Sequence, residues 1–307
     1  MVQLKFTRKS TRLPMGFLAG AACTALMLSA SLSTSAEDSK PADARGKTNK
    51  EVPQTARAEA PAAKTNGSAQ DLPVPPIDEK HPLYLPLVEA YKARAALEDV
   101  KDYEAEFTKR ELIGRRLVKT TMAMKVREQP FSVYLKFLDA HAGREVIYVE
   151  GQNQNNIVVH EVGIRAIVGT LSLPPTGPDA MTDNKYPVTM IGMRTLIDKI
   201  IKQWETEGKL GEIKTQKYPN AKLPSGEDCI AYESMHPTPR NQFPFHITRL
   251  WIEKKTGLPI RVEQLGFPTK NSKSPPIVEE YTYGKIKTNV PLGDRDFDPK
   301  NPRYAFP

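Results

Sequence analysis

Beyond residue 36 the chain carries one cysteine, Cys229. No disulfide can form within that part, so a packed core rather than covalent staples must hold it. A lone cysteine in the run Cys229-Ile230-Ala231 reads as a small buried hydrophobe and not as a nucleophile. Acidic side chains are missing from residues 1–36, and large apolar ones are nearly missing from residue 37 to Leu72. No Gly-x-Ser-x-Gly elbow, phosphate loop or dinucleotide fingerprint occurs, which removes the hydrolases, nucleotidases and dehydrogenases that depend on them. Histidine is scarce, and His81, His141, His160, His236 and His246 show no spacing that metal ligation would use. Neither a metal nor a cofactor is expected.

What is present begins with a leader. Lys5, Arg8, Lys9 and Arg12 precede an apolar stretch from Met15 to Leu32, and Thr34-Ser35-Ala36 supplies small side chains before Glu37 and Asp38. This is the three-part pattern of a secretory signal, with cleavage expected after Ala36. Gly16, Gly20, Thr24, Ser29 and Ser31 dilute the stretch too far for a good permanent span. A lipoprotein anchor at Cys23 is the weaker alternative, because Gly20 stands where such signals carry leucine. The full chain has 44 Lys and Arg against 36 Asp and Glu, but four of the cations fall in the leader. The remaining balance is too mild, and too little clustered, to point to nucleic acid.

Residues 37–80 are Ala, Lys, Glu, Pro, Ser and Thr, a composition that cannot bury enough surface to offset the entropy of ordering. They are expected to form a disordered tether ahead of one folded domain over residues 81–307. In that domain Leu87, Val88, Tyr91 and Ala95 fall on one helical stripe after Pro82 and Pro86. The period then changes to two. Met122, Met124 and Val126 alternate with Ala123, Lys125 and Arg127, and Val133, Leu135 and Phe137 alternate with Ser132, Tyr134 and Lys136. Gly143 and Gly151 bracket a strand over 144–150, with 156–160 as its hairpin partner. Met190, Ile191, Met193, Leu196, Ile197, Ile200, Ile201 and Trp204 recur at steps of three and four. They predict an amphipathic helix with Thr189 as its N-cap and Gly208 as its stop. Strands over 247–253 and 259–265 flank a glycine-containing loop, and 278–288 is a further long strand. Strands joined mostly by short turns predict a mainly β (α+β) fold: a curved antiparallel sheet or incomplete barrel with two amphipathic helices covering one face.

Few motifs suggest chemistry. His160-Glu161 opens like a zinc-protease signature, but Ile164 occupies the place of the second histidine. Asp294, Asp296 and Asp298 alternate like the start of a calcium loop; Pro299 stands where glycine is needed and Ala305 replaces the closing glutamate, so the segment reads as a polar tail. His141 and His160 could meet across neighbouring strands, and a hydrolase built from scattered residues would need them. Histidines satisfied at the surface or in the core are the plainer reading. More informative are 146–149 and 157–159, which are apolar on both strand faces. Either protein covers both faces, or one face lines an apolar cavity. Met122, Met124, Met181, Met190 and Met193 offer adaptable surface for a core or for a flexible acyl chain.

Several stretches resemble an uncharacterised bacterial family, a domain of unknown function numbered fifteen seventy-one. They are Val133 to Phe137; Gly143 to Val149 with Gly151 and Asn153; Pro174 to Pro178 through Met181 to Gly192; Trp251 to Pro259; Glu279 to Tyr283; and Asp296 to Phe306. The hairpin around Thr256-Gly257-Leu258-Pro259 is also similar to that of Lol-type periplasmic lipoprotein carriers. That resemblance implies a curved, incomplete barrel whose concave face holds acyl chains. It implies an exported, periplasmic or envelope-associated protein that binds an apolar ligand or a lipidated partner; with no recognisable catalytic motif, no enzyme is expected. The alternative is a protein-interaction module without lipid. Candidate pocket residues are Val133, Leu135, Phe137, Ile147, Val149, Val158, Ile200 and Trp204; alternation alone leaves open which face they share.

Overall fold

The computed structural model describes residues 74–270, 272 and 274–307. The expected leader and nearly all of the expected tether lie outside them. Eleven strands form one antiparallel sheet: β1 (Asp102–Ile113), β2 (Arg116–Arg127), β3 (Ser132–Phe137), β4 (Glu145–Val149), β5 (Ile157–His160), β6 (Thr170–Leu173), β7 (Lys214–Lys222), β8 (Asp228–Met235), β9 (Ile247–Glu253), β10 (Pro259–Leu265) and β11 (Ile277–Thr288). Their order is β6-β5-β4-β3-β2-β1-β11-β10-β9-β8-β7, a curved sheet that is not closed into a barrel. Since β6 and β7 are its two edges, the chain between them must cross the whole sheet. That crossing carries α2 (Pro178–Met181) and the long α3 (Met193–Glu207), while α1 (Tyr84–Ala95) precedes the first strand.

Period-two alternation sets the inner face. Phe107 lies opposite Met122 and Tyr283, Met124 opposite Leu135, Leu135 opposite Val146, and Val146 opposite Val159. One contiguous apolar row therefore runs across six strands and meets the helices.

Helix α1 is rotated from its expected stripe. Leu87 is buried, but its companions are Pro86, Ala90 and Ala93, while Val88, Tyr91 and Ala95 lie on the flanks. The inward alanines allow α3 to approach closely, and Tyr91 donates its hydroxyl to Glu205 on that helix. Thr189 is not the N-cap of α3. It sits in a separate 3-10 turn, and the helix starts only after Gly192, whose φ of 115° few other residues adopt. The first helical N–H, that of Met193, donates to the Tyr103 hydroxyl oxygen at 3.1 Å, so a strand residue caps the helix. Gly208 does stand at the end, in right-handed conformation. The His81 ring packs so closely there that a Cβ would lie 2.0 Å from it.

The C-terminal segment is not a polar tail. Leu292 and Phe297 are buried with Tyr134, Ile147 and Val149 in a second apolar cluster, on the face away from the helices. Tyr304 stacks on Tyr134 with ring centroids 4.1 Å apart, and the buried carboxylate of Glu145 accepts the Ala305 N–H at 2.9 Å. Asp296 pairs with Lys125 at 2.6 Å. Asp294, paired with Arg127 at 2.7 Å, and Asp296 thus tie a strap to the outside of the sheet.

Candidate functional site

Between the inner face and α3 lies a cavity of about 1140 Å³. Well-packed interiors leave few voids larger than a water molecule, whereas pockets for small organic ligands span roughly 300–1,000 Å³. Phe107, Met122, Leu135, Val146, Ile157 and Val159 supply the sheet wall. Ile191, Leu196 and Ile200 supply the facing wall, and Leu171 and Leu173 of the edge strand close one side. Ile164, on the 3-10 turn Gly163–Val168, lines the rim and is 89% exposed; Ile167 on the same turn is 87% exposed.

Strand parity sorts the expected pocket residues. Leu135, Phe137 and Ile200 line the hollow. Val133 and Trp204 face the same side but are fully buried in the continuous core and do not line it. The Trp204 indole N–H donates to Ser234 Oγ at 2.9 Å, which pins α3 to β8. Ile147, Val149 and Val158 project from the opposite face and pack under the C-terminal strap. Expecting them in one pocket with Leu135 fails because Leu135 pairs with Val146, and Ile147, the next residue, points the other way. The doubly apolar strands β4 and β5 therefore have both explanations at once, a cavity on one face and protein on the other.

One end of the hollow is charged, and the sequence reading missed it. Lys109 and Glu111 of β1 continue the inward alternation of Tyr103, Ala105 and Phe107, and Glu279 and Tyr281 of β11 lie opposite them. Glu111 accepts hydrogen bonds from Lys109 Nζ at 2.7 Å, from the Tyr281 hydroxyl at 2.7 Å and from the Lys185 backbone N–H at 3.2 Å. Glu279 pairs with Lys185 Nζ and accepts the Tyr186 hydroxyl at 3.2 Å. Burial, reinforced by these carboxylates, pushes the Tyr186 and Tyr281 phenols well above their ordinary range. Gln264 donates to Gln203 at 2.6 Å, which donates to Thr248 at 3.0 Å, so polar groups also join α3 to the sheet. Charged residues in phase with inward apolar ones were the signal available in β1; the partners on 183–186 and β11 are far away in sequence.

Other chemistry stays apart. His141 lies in the loop after β3 and lines the cavity, whereas His160 faces the strap, its ring centroid 5.8 Å from that of Phe306. Cys229 is fully buried, and that burial pushes its thiol up to about 11, which leaves it protonated and unreactive near neutrality. Among the described residues no group of three or more His, Cys, Asp and Glu could hold a metal ion. Among the same residues no helix is long and apolar enough to cross a membrane.

No curated protein matches the chain. Several solved structures are similar to it over most of the domain. A putative outer membrane lipoprotein-sorting protein domain from Vibrio parahaemolyticus is 10% identical, with 69% of this chain and 95% of that one covered and a TM-score of 0.33. The lipoprotein LppX of Mycobacterium tuberculosis is 13% identical, with 69% and 97% covered and a TM-score of 0.39. A LolA superfamily protein from Nitrosomonas europaea is 10% identical, with 68% and 96% covered and a TM-score of 0.27. None of these likenesses assigns a ligand or a role here. Residues 100–306 match the family described as "Protein of unknown function (DUF1571)", and the chain belongs to that family.

Proposed function

We propose that this chain is an exported envelope protein that holds a long acyl chain, free or attached to a partner, in the hollow between sheet and helix. The observation that carries the reading is the cavity itself: about 1140 Å³ of space with Phe107, Met122, Leu135, Val146, Ile157 and Val159 on its sheet wall and Ile191, Leu196 and Ile200 facing them. Moving an alkyl chain from water into such a space is favourable by about 0.8 kcal/mol for each methylene buried. The exposed Ile164 at the rim gives an entering chain an apolar threshold. Export rests on the leader pattern of residues 1–36, and the printed description of a lipoprotein-sorting relative agrees with an envelope role.

Displacement of a fluorescent fatty acid by a series of saturated fatty acids tests the proposal. Each shortening by two methylenes is expected to weaken binding by about tenfold while the chain still fits inside the hollow. Equal affinity along the series, or no displacement, would contradict it.

A second reading, partner binding without lipid, has the exposed edge strand β7 in its favour. That edge carries Lys214, Lys217, Lys222 and Pro219, the residue types by which natural sheets discourage strand addition.

A further inference from the structure

The charged end of the hollow bears on which amphiphile enters it, an inference that rests on reading the hollow as an acyl site. Most ionised groups lining that space are already matched. Lys109 is paired with Glu111, Arg116 with Asp183, Arg144 with Glu161, and Glu279 with Lys185. Asp179, on the short α2, is exposed to solvent. Lys199 is different. Among the described residues no carboxylate lies within 4.0 Å of its ammonium and none of its three donors makes a hydrogen bond, although the side chain is half-buried. Its nitrogen sits 3.4 Å from the centre of the Tyr186 ring, a cation–π contact that fixes its position without neutralising its charge.

The surroundings of Lys199 define where a head group would sit. On α3 it lies between Leu196 and Ile200, which belong to the apolar wall, and one turn before Gln203, whose amide is committed to Thr248, Glu207 and Gln264. Burial lowers the affinity of Lys199 for its proton; Glu279 and Glu111 oppose this and Lys185 adds to it. Water still reaches this half-buried ammonium, but no carboxylate neutralises it, and an incoming anion can accept its free N–H groups as charge-assisted hydrogen bonds. A hydroxyl or ester head group would leave the charge uncompensated, and a quaternary ammonium would oppose it.

We infer that the natural occupant is an anionic amphiphile, whose carboxylate or phosphate head pairs with Lys199 while its alkyl chain runs along the β1–β5 wall.

Three probes with the same chain test this on the protein as purified from cells: hexadecanoate, monohexadecyl phosphate and hexadecanol. The wild type is expected to prefer at least one of the anions over the alcohol by about tenfold or more, as a charge-assisted hydrogen bond supplies. Preference for the carboxylate points to a free fatty acid, and preference for the phosphate to a phospholipid-type head. Lys199→Met should erase the preference, with a circular-dichroism spectrum and thermal melt like those of the wild type reporting that the variant is folded. Lys199→Arg should retain the preference. Equal affinity for all three probes in the wild type, or a preference that survives Lys199→Met, overturns the inference and leaves the acyl site standing. Failure of every probe to bind overturns the acyl site itself.

Discussion

Replacing Leu135 with tryptophan is expected to weaken uptake of a long-chain fluorescent fatty acid by about a hundredfold, with little loss of stability. Leu135 stands in the middle of the sheet wall, between Met124 and Val146 on the neighbouring strands, and its side chain borders open space. An indole there would occupy the room of three or four methylenes, and each excluded methylene forfeits about 0.8 kcal/mol. Together they amount to roughly two factors of ten in affinity. Inserting bulk into a packed core normally costs about 1–3 kcal/mol in strain, but growth into a cavity avoids most of that. Val133 provides the control: it is fully buried on the same face without lining the hollow. Val133→Trp should lower the unfolding temperature sharply. Fluorescence titration and thermal melts of the two variants separate the effects. Undiminished uptake by Leu135→Trp would mean that the ligand does not occupy this space.

Phe297→Ala should produce the largest change in stability, about 3–5 kcal/mol in urea unfolding, with acyl uptake preserved. Phe297 is 3% exposed and packs with Leu292 against Tyr134, Ile147 and Val149, and the Arg127 guanidinium lies 5.0 Å from its ring centre. Its loss leaves a void on the outer face of β3 and β4, the strands whose inner face forms the hollow. Acid should loosen the same strap. Burial works against the charged form of Asp296, yet hydrogen bonds from Lys125 and the Gly293 N–H win and hold its carboxyl below the ordinary value of 3.8. A lowered folded-state pKa stabilises above the unfolded value and ceases to do so as the pH drops through the folded one. The Asp296 tie therefore persists at neutral pH and is lost below 3.8. Phe297→Ala stability indistinguishable from wild type would show that the strap does not support the sheet.

Much of this architecture was legible in the sequence because strands with one buried face must alternate. Met122 to Val126, Val133 to Phe137 and the 247–265 hairpin are strands where their alternation and turn glycine put them. Strand β7 left no such trace: Lys214 to Lys222 is exposed on both faces, so no period appears. The stripe of α1 was misread because large apolar residues mark a helix face only when the partner surface is distant. Here Ala90 and Ala93 face inward so that α3 can come close. The strap was unreadable for a different reason. Leu292, Tyr304 and Phe306 lie in irregular chain and Phe297 ends a single short 3-10 turn, so their contacts follow from the surface beneath and not from spacing. Of the candidate pocket, Leu135 and Phe137 follow from inward strand parity and Ile200 from the apolar stripe of α3. Ile147, Val149 and Val158 could not be told apart from them without knowing that a strap covers the outer face. The charged end requires β1, β11 and residues 183–186 to meet, which local sequence does not reveal.

The most direct measurement is native mass spectrometry of the protein purified gently from the envelope of its own cells. An occupied hollow predicts a population heavier than the polypeptide by the mass of one amphiphile, lost on collisional activation and shifted by Leu135→Trp toward the bare chain. A single peak at the polypeptide mass, unchanged after incubation with long-chain fatty acid, would contradict the acyl site and leave the cavity without the role proposed for it.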